Sequence, residues 1–281
     1  MGQIIVEQGI VKYKKDGATY FVKRHFAPSI DFADGRRDSA LDKPRRYGTK
    51  TIPESFFSYG PIEKMVSSLG SGRVNVVAIK FKSEMDLDAE EVSKLQELVG
   101  PDFYFSRSGW DYTPESLPHR DPEIALGFQV VFDILVRNWD DGERNMCVVQ
   151  GVPVWFDFGA SLDPRCQNIY RFILKLEEAK EAGRTSSIIR YFEAYSRRRS
   201  QILKRAIRVF EGIHLWEIRA IVEGSMAEMP GFFAEYLARN VSQMAEEVDI
   251  IRGAFLRQKG QSDVSLIAEM MPRETYLRQT K

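Results

Sequence analysis

Cysteine and histidine are scarce in this chain, and net charge is missing altogether. The two cysteines, Cys147 and Cys166, and the three histidines fall at no spacing that suits a zinc ligand set. A zinc site is therefore not expected, and a reducing, cytoplasmic setting is. The 40 Lys and Arg balance 40 Asp and Glu, which leaves no overall field to gather polyanions. A nucleic-acid partner is not expected, although the run Arg197-Arg198-Arg199 keeps local phosphate contacts open. No uninterrupted apolar stretch approaches the roughly 18–20 residues of a membrane span. The opening MGQIIVEQGI lacks the basic region and long apolar run of a signal peptide, and Val6 stands where a myristoylation signal needs a hydroxyl. A soluble protein with no membrane span is the expectation.

What is present suits a sizeable core: 281 residues, 43% hydrophobic and 12% aromatic, enough for one large domain or two lobes. Residues 3–7 and 10–25 are rich in β-branched and aromatic types and read as strands, with a tight-turn signal at Lys15-Asp16-Gly17. Lys23 follows Tyr20, Phe21 and Val22, so alternation allows it to face a cleft while neighbours enter a core. A solvated strand lysine is the plainer reading of that position. Residues 27–55 mix Pro, Gly, Asp and Arg without periodicity and read as a long loop. From Pro61 the pattern turns helical, with Ile62, Met65, Val66 and Leu69 on one face and Gly70 as a stop. Glu63 lies early in that helix, where an acid is favourable to the helix dipole and, alternatively, where it could pair with Lys23.

Residues 73–82 read as a strand, 86–100 as an amphipathic helix with Val92, Leu95, Leu98 and Val99 inward, and 103–109 as another strand. Val77-Ala78-Ile79-Lys80 matches the strand lysine motif of protein kinases, but no full G-x-G-x-x-G accompanies it and Lys80 stands close to Asp140 in sequence. Spacing and strand order favour Lys23 over Lys80 as the lysine of a phosphate site. A polar stretch at 110–123 follows, then the apolar helix IALGFQVVFDILVRN, whose breadth of hydrophobicity suggests burial on all sides. Helical periodicity dominates from there, at about 168–182, 186–211, 214–226 and 231–258.

The stretch 128–162 carries the chemistry. Asn138, Asp140 and Asn145 stand on a polar loop, the apolar runs MCVVQ and VPVWF form a hairpin around Gly151, and Asp157-Phe158-Gly159 closes the second strand. Transfer of a phosphoryl group needs a carboxylate to orient the attacking hydroxyl and oxygen ligands to hold Mg²⁺ against the phosphates. Asp140 suits the first task, and Asn145 with Asp157 the second. Taken singly, each of these residues is ordinary turn chemistry. Their order, apolar helix, N-x-D-x-x-x-x-N, hairpin, D-F-G, is not.

The run FDILVRNWDDGERNMCVVQGVPVWFDFGASL resembles the catalytic core of the HipA-like kinases and of the related phosphatidylinositol 3-/4-kinase-like group, closely over about 35 residues and more loosely on either side. The resemblance implies an α+β, bilobal protein-kinase-like fold. Its small β-rich N-lobe would occupy 1–108, an interlobe linker 109–122, a mostly helical C-lobe 123–260, and a tail 261–281. It further implies ATP and Mg²⁺ as cofactors, Asp140 as the catalytic base, Asn145 and Asp157 as Mg²⁺ ligands, Lys23 on the ATP phosphates and Glu63 as its ion-pair partner. Adenine would meet the backbone near Phe105 to Arg107. The expected reaction is transfer of the γ-phosphate to a hydroxyl of a protein Ser or Thr, so that the partner is a protein or small-molecule phosphate acceptor. Asp141 and Gly142 replace the Arg or His common after the base, which makes Asp141 a competitor for that role and leaves a positive charge to Arg144 or the 36–46 loop. A non-catalytic kinase-fold binding module and a small-molecule or lipid phosphotransferase are the alternatives.

Overall fold

The computed structural model describes residues 2–25, 45–47, 50–52, 59–136, 138, 145–161 and 198–226. They form a mixed α+β structure. Strands β1 (Gln3–Glu7), β2 (Ile10–Lys15) and β3 (Ala18–Arg24) follow one another as a meander. Both connections are two-residue turns with positive φ at each residue, 50° and 79° at Gln8-Gly9, 51° and 77° at Asp16-Gly17. That backbone matches the twist of antiparallel strands, and glycine second makes it inexpensive. The sequence signalled only the second of these turns.

The sheet is completed by β7 (Phe103–Arg107) and β6 (Ile79–Phe81), giving five strands in the order β1-β2-β3-β7-β6, every pair antiparallel. Alternation divides its faces. Val22 lies opposite Phe105 and Lys23 opposite Tyr104, so these pairs point to opposite sides. Tyr13, Val22, Phe103 and Phe105 pack beneath helix α2 (Ala89–Val99), against its Leu95 and Val99. Tyr104 joins a second cluster with Val77, Ile79, Leu117, Cys147 and Val154.

Helix α2 departs from its expected inward face. Leu98 is 38% exposed and Val92 half-buried, whereas Glu91 is buried. The carboxylate of Glu91 explains the rotation, because it accepts from the Tyr13 hydroxyl (3.1 Å), the Gly2 amide (2.6 Å) and, in a capping box with Asp88, the Asp88 amide (3.1 Å). The expected loop 27–55 holds a short antiparallel ladder, β4 (Arg45–Tyr47) with β5 (Lys50–Ile52), at a cluster of β-forming residue types.

The expected strand 73–82 keeps only its last residues in the sheet. Upstream, Val76 bridges Trp155 in parallel, Val77 N donates to Trp155 O (3.0 Å), and Trp155 N donates to Asn75 O (2.8 Å). The segment thus leaves the sheet for a hairpin of β8 (Met146–Val149) and β9 (Val152–Trp155). Asn75, fully buried, fixes this crossing: its Nδ2 donates to His119 O (2.8 Å) and Pro153 O (3.1 Å), and its Oδ1 accepts from His119 N (3.0 Å). Strand β7 also ends earlier than the 103–109 reading. The polar stretch after it makes 3-10 turns at Gly109–Asp111 and Pro114–Ser116 before Asp121 caps the next helix.

Helix α3 (Pro122–Val136) starts on proline, a residue suited to the first turn, and is buried on all sides from Gly127 to Val136. Phe132 stacks on Phe210 (centroids 5.7 Å apart) and meets Phe158 edge-on (6.0 Å). Phe210 belongs to α4 (Arg199–Glu211), which is followed by α5 (Leu215–Met226). Both fall within the expected helices 186–211 and 214–226. The expected helices 168–182 and 231–258, and residues 261–281, lie outside the described residues. Arg198, part of the basic run, pairs with Glu123 at 2.8 Å rather than presenting a free charge. No helix among the described residues is long and apolar enough to cross a membrane.

Replacing Asn75 by Ala leaves two carbonyls and an amide without their partner in a dry crossing, so stability should fall by about 2–4 kcal/mol. A urea titration should show the midpoint dropping at unchanged slope; an unchanged midpoint would contradict the role given to Asn75.

Candidate functional site

Helix α1 (Tyr59–Gly70) brings Glu63 to the sheet. Its inward face is the expected one, with Ile62, Met65, Val66 and Leu69 all buried. The approach is close because Gly60 has no side chain: a Cβ there would overlap the His25 ring and come within 2.9 Å of Tyr104. Glu63 Oε1 accordingly reaches Lys23 Nζ on β3 at 3.0 Å, and Asp157 Oδ1 lies 3.4 Å from the same ammonium. Glu63 is 1% exposed, Lys23 29% and Asp157 48%, so the cluster runs from the interior outward. Asp157 sits in the left-handed region, φ 63° and ψ 60°, which Asp tolerates better than most residues and which breaks the line of β9 to turn the carboxylate aside.

Two carboxyl groups thus share one ammonium. Burial pushes Glu63 up to about 7; the Lys23 ammonium opposes this and the Asp157 carboxylate adds to it. Burial alone would lower Lys23, but Glu63 and Asp157 together outweigh it and hold the lysine above its ordinary value. The two directions describe one arrangement, in which Lys23 is held in its charged form and burial keeps Glu63 above the ordinary carboxylate range.

Lys80, the alternative lysine, is placed differently. Its strand position pairs with Phe105, on the sheet face opposite Lys23, and its ammonium lies 5.9 Å from the Tyr20 ring centre. Asn145 is brought near Asp157 by the hairpin, whose turn Gln150-Gly151 again has positive φ (49° and 87°) and whose register continues to a bond from Phe156 N to Asn145 O (2.9 Å). Asp140, with Asp141 and Arg144, lies outside the described residues. Among those that are described, no cluster of three or more His, Cys, Asp or Glu side chains forms a metal site. Asn145, 6% exposed, and Asp157, at the cleft, are an amide and a carboxylate at neighbouring strand ends, ligand types that Mg²⁺ accepts alongside waters and phosphate oxygens.

Lys23 and Asp157 open on a cleft of about 570 Å³ also lined by Phe21, Ser106, Trp110 and Phe156. The backbone of Phe105 to Arg107, expected to meet adenine, is committed to the sheet. β7 has neighbours on both sides, Arg107 N donates to Ala78 O (2.9 Å), and the next amide, Ser108 N, donates to Thr19 O (2.7 Å). Ser106 and Arg107 nevertheless line the cleft, together with Gly109 and Trp110 of the connection that follows. Gly109 is required there, because a Cβ would run into the Cys147 sulfur. Trp110, 68% exposed at the cleft, was not singled out by the sequence; a lone tryptophan in a polar stretch was its only signal.

A half-buried strand lysine paired to a buried helix glutamate, next to an aspartate at the end of a hairpin, within an antiparallel sheet followed by helices, defines a kinase-like fold. The crystal structure of the Helicobacter pylori proinflammatory kinase CtkA matches it with a TM-score of 0.51 at 12% sequence identity, over 92% of this chain and 98% of that one. At that identity the likeness is one of fold. No protein-family model matches the chain, and no curated protein matches it.

Glu63 holds its proton up to about pH 7 in the folded chain but releases it near 4.5 when free. The folded state therefore binds more protons between those values, and stability drains as pH rises through that window. Glu63→Gln removes the slope. In metal-free urea melts the parent should lose stability relative to the variant between pH 4.5 and 7; parallel curves would speak against the protonation assigned to Glu63.

Proposed function

We propose that the protein is an ATP- and Mg²⁺-dependent phosphotransferase of the HipA-like kind, delivering the γ-phosphate to a hydroxyl of a protein Ser or Thr. The observation that carries this reading is the Lys23–Glu63–Asp157 cluster at the cleft of a kinase-like fold. In this reading residues 1–108 are the N-lobe, 109–122 the linker and 123–260 the C-lobe, with the cleft between lobes. Lys23 holds the phosphates, and Glu63 keeps its ammonium in place. Asn145 and Asp157 would hold Mg²⁺, which would supply positive charge at the phosphate oxygens. Asp140 orients the acceptor hydroxyl and takes its proton.

One observation favours a second reading. The β1–β2 connection that borders the cleft is a closed two-residue turn, Gln8-Gly9, with no run of free glycine amides to cradle phosphates. A binding module that keeps the fold without the reaction is consistent with that turn.

Nucleotide binding separates the two. Mg-ATP at about 100 times its dissociation constant should stabilise the parent by about 2.7 kcal/mol, visible as a raised Tm. Lys23→Met and Asp157→Ala should lose that shift. Asp140→Ala should keep it while transfer of labelled phosphate falls by roughly 10²- to 10⁴-fold. Absence of any shift in the parent favours the binding module, and full transfer by the Asp140 and Asp157 variants would refute the site.

A further inference from the structure

Helix α3 is the most apolar helix among the described residues, yet its buried interior holds a carboxylate. Asp133 is 0% exposed and Gln129, one turn earlier, is 1% exposed. Gln129 Nε2 donates to Asp133 Oδ1 at 2.8 Å. Asn138, 2% exposed and beyond the helix end, donates its Nδ2 to the same oxygen at 3.0 Å and its backbone N to Asp133 O at 2.9 Å. Asn138 is therefore gripped twice, by side chain and by main chain. Such a cluster is expensive to bury and could be replaced by well-packed apolar residues if cohesion alone were at stake. A polar group retained in a dry core specifies geometry.

We propose that Asp133 is a positioning residue for phosphoryl transfer: through Asn138 it fixes where the chain leaves α3, two residues in sequence before Asp140. This inference rests on the reading of Asp140 as the base. Two amide donors converging on one oxygen define the direction of Asn138 as well as its distance, and small misplacement of a catalytic group costs far more in rate than in binding. Asp133 itself needs no contact with nucleotide, since it is fully buried on α3 and does not line the cleft.

The test uses the full chain with Asp133→Asn, which keeps the size and one acceptor, and Asn138→Ala, which removes the grip from the other side. Both should lower kcat for phosphate transfer about tenfold or more while KM for ATP and the Mg-ATP shift in Tm stay within twofold of the parent. The double variant should lose no more than the worse single one, because both break one device. Hydrogen exchange should quicken in the peptide spanning residues 137–145 and remain unchanged in the β8–β9 hairpin. If Asp133→Asn does not fold, Asn138→Ala alone decides. Parent-like kcat, additive losses, or a proportionate loss of nucleotide binding each overturn the positioning role and leave the kinase reading standing. A parent that transfers no phosphate sinks the kinase reading instead. The exchange measurement then still reports whether the grip orders the loop, and unaltered exchange would overturn that too.

Discussion

The Lys23 ammonium anchors Glu63. A carboxyl group at 1% exposure has lost its water, and the ammonium 3.0 Å away on β3 offsets part of the cost of its ionised form. That constraint ties α1 to the sheet at a fixed angle and depth, with Gly60 removing the side chain that would hold the helix off. The same ammonium reaches Asp157, so a single cation connects the helix, the sheet and the end of the β8–β9 hairpin. Asp157, the more exposed of the two acids, lies on the side where the cleft opens.

The hairpin is delivered to this cluster by a second set of polar contacts. Residues 74–77 leave the sheet to bond with Trp155, and Asn75 makes three side-chain hydrogen bonds, to His119 and Pro153. The crossing fixes the height of β9, and with it the point at which the chain turns into its left-handed Asp157. Beneath, Phe158 packs on Phe132 of α3, which itself stacks on α4. Hydrophobic burial supplies the cohesion, and a few buried amides supply the alignment.

Much of this was readable in residue order. Alternation and the Asp16-Gly17 turn marked the strands of the meander, the three- and four-residue spacing of Ile62, Met65, Val66 and Leu69 gave α1 its face, and the apolar runs around Gly151 marked the β8–β9 hairpin. Readings failed where a polar group overrode the apolar pattern. Glu91 drew α2 around so that Leu98 faces water, and Asn75 pulled residues 74–77 out of a strand that their β-branched composition suggested. Periodicity counts apolar side chains and is blind to a carboxylate that is buried because a distant tyrosine hydroxyl and main-chain amides need it.

The sequence by itself determined the local elements and the inventory of reactive groups, because both depend on spacing along the chain: period two for strands, 3.6 for helices, and positive-φ turns where glycine stands. Which lysine meets Glu63 was a tertiary decision. Lys23 and Lys80 are both strand lysines in plausible motifs, but the antiparallel register sets Lys23 opposite Tyr104 and Lys80 opposite Phe105, and alternation then sends their side chains to opposite faces of one sheet. Register is fixed by pairing between strands 81 residues apart for Lys23 with Tyr104 and 25 apart for Lys80 with Phe105, and no local pattern contains it.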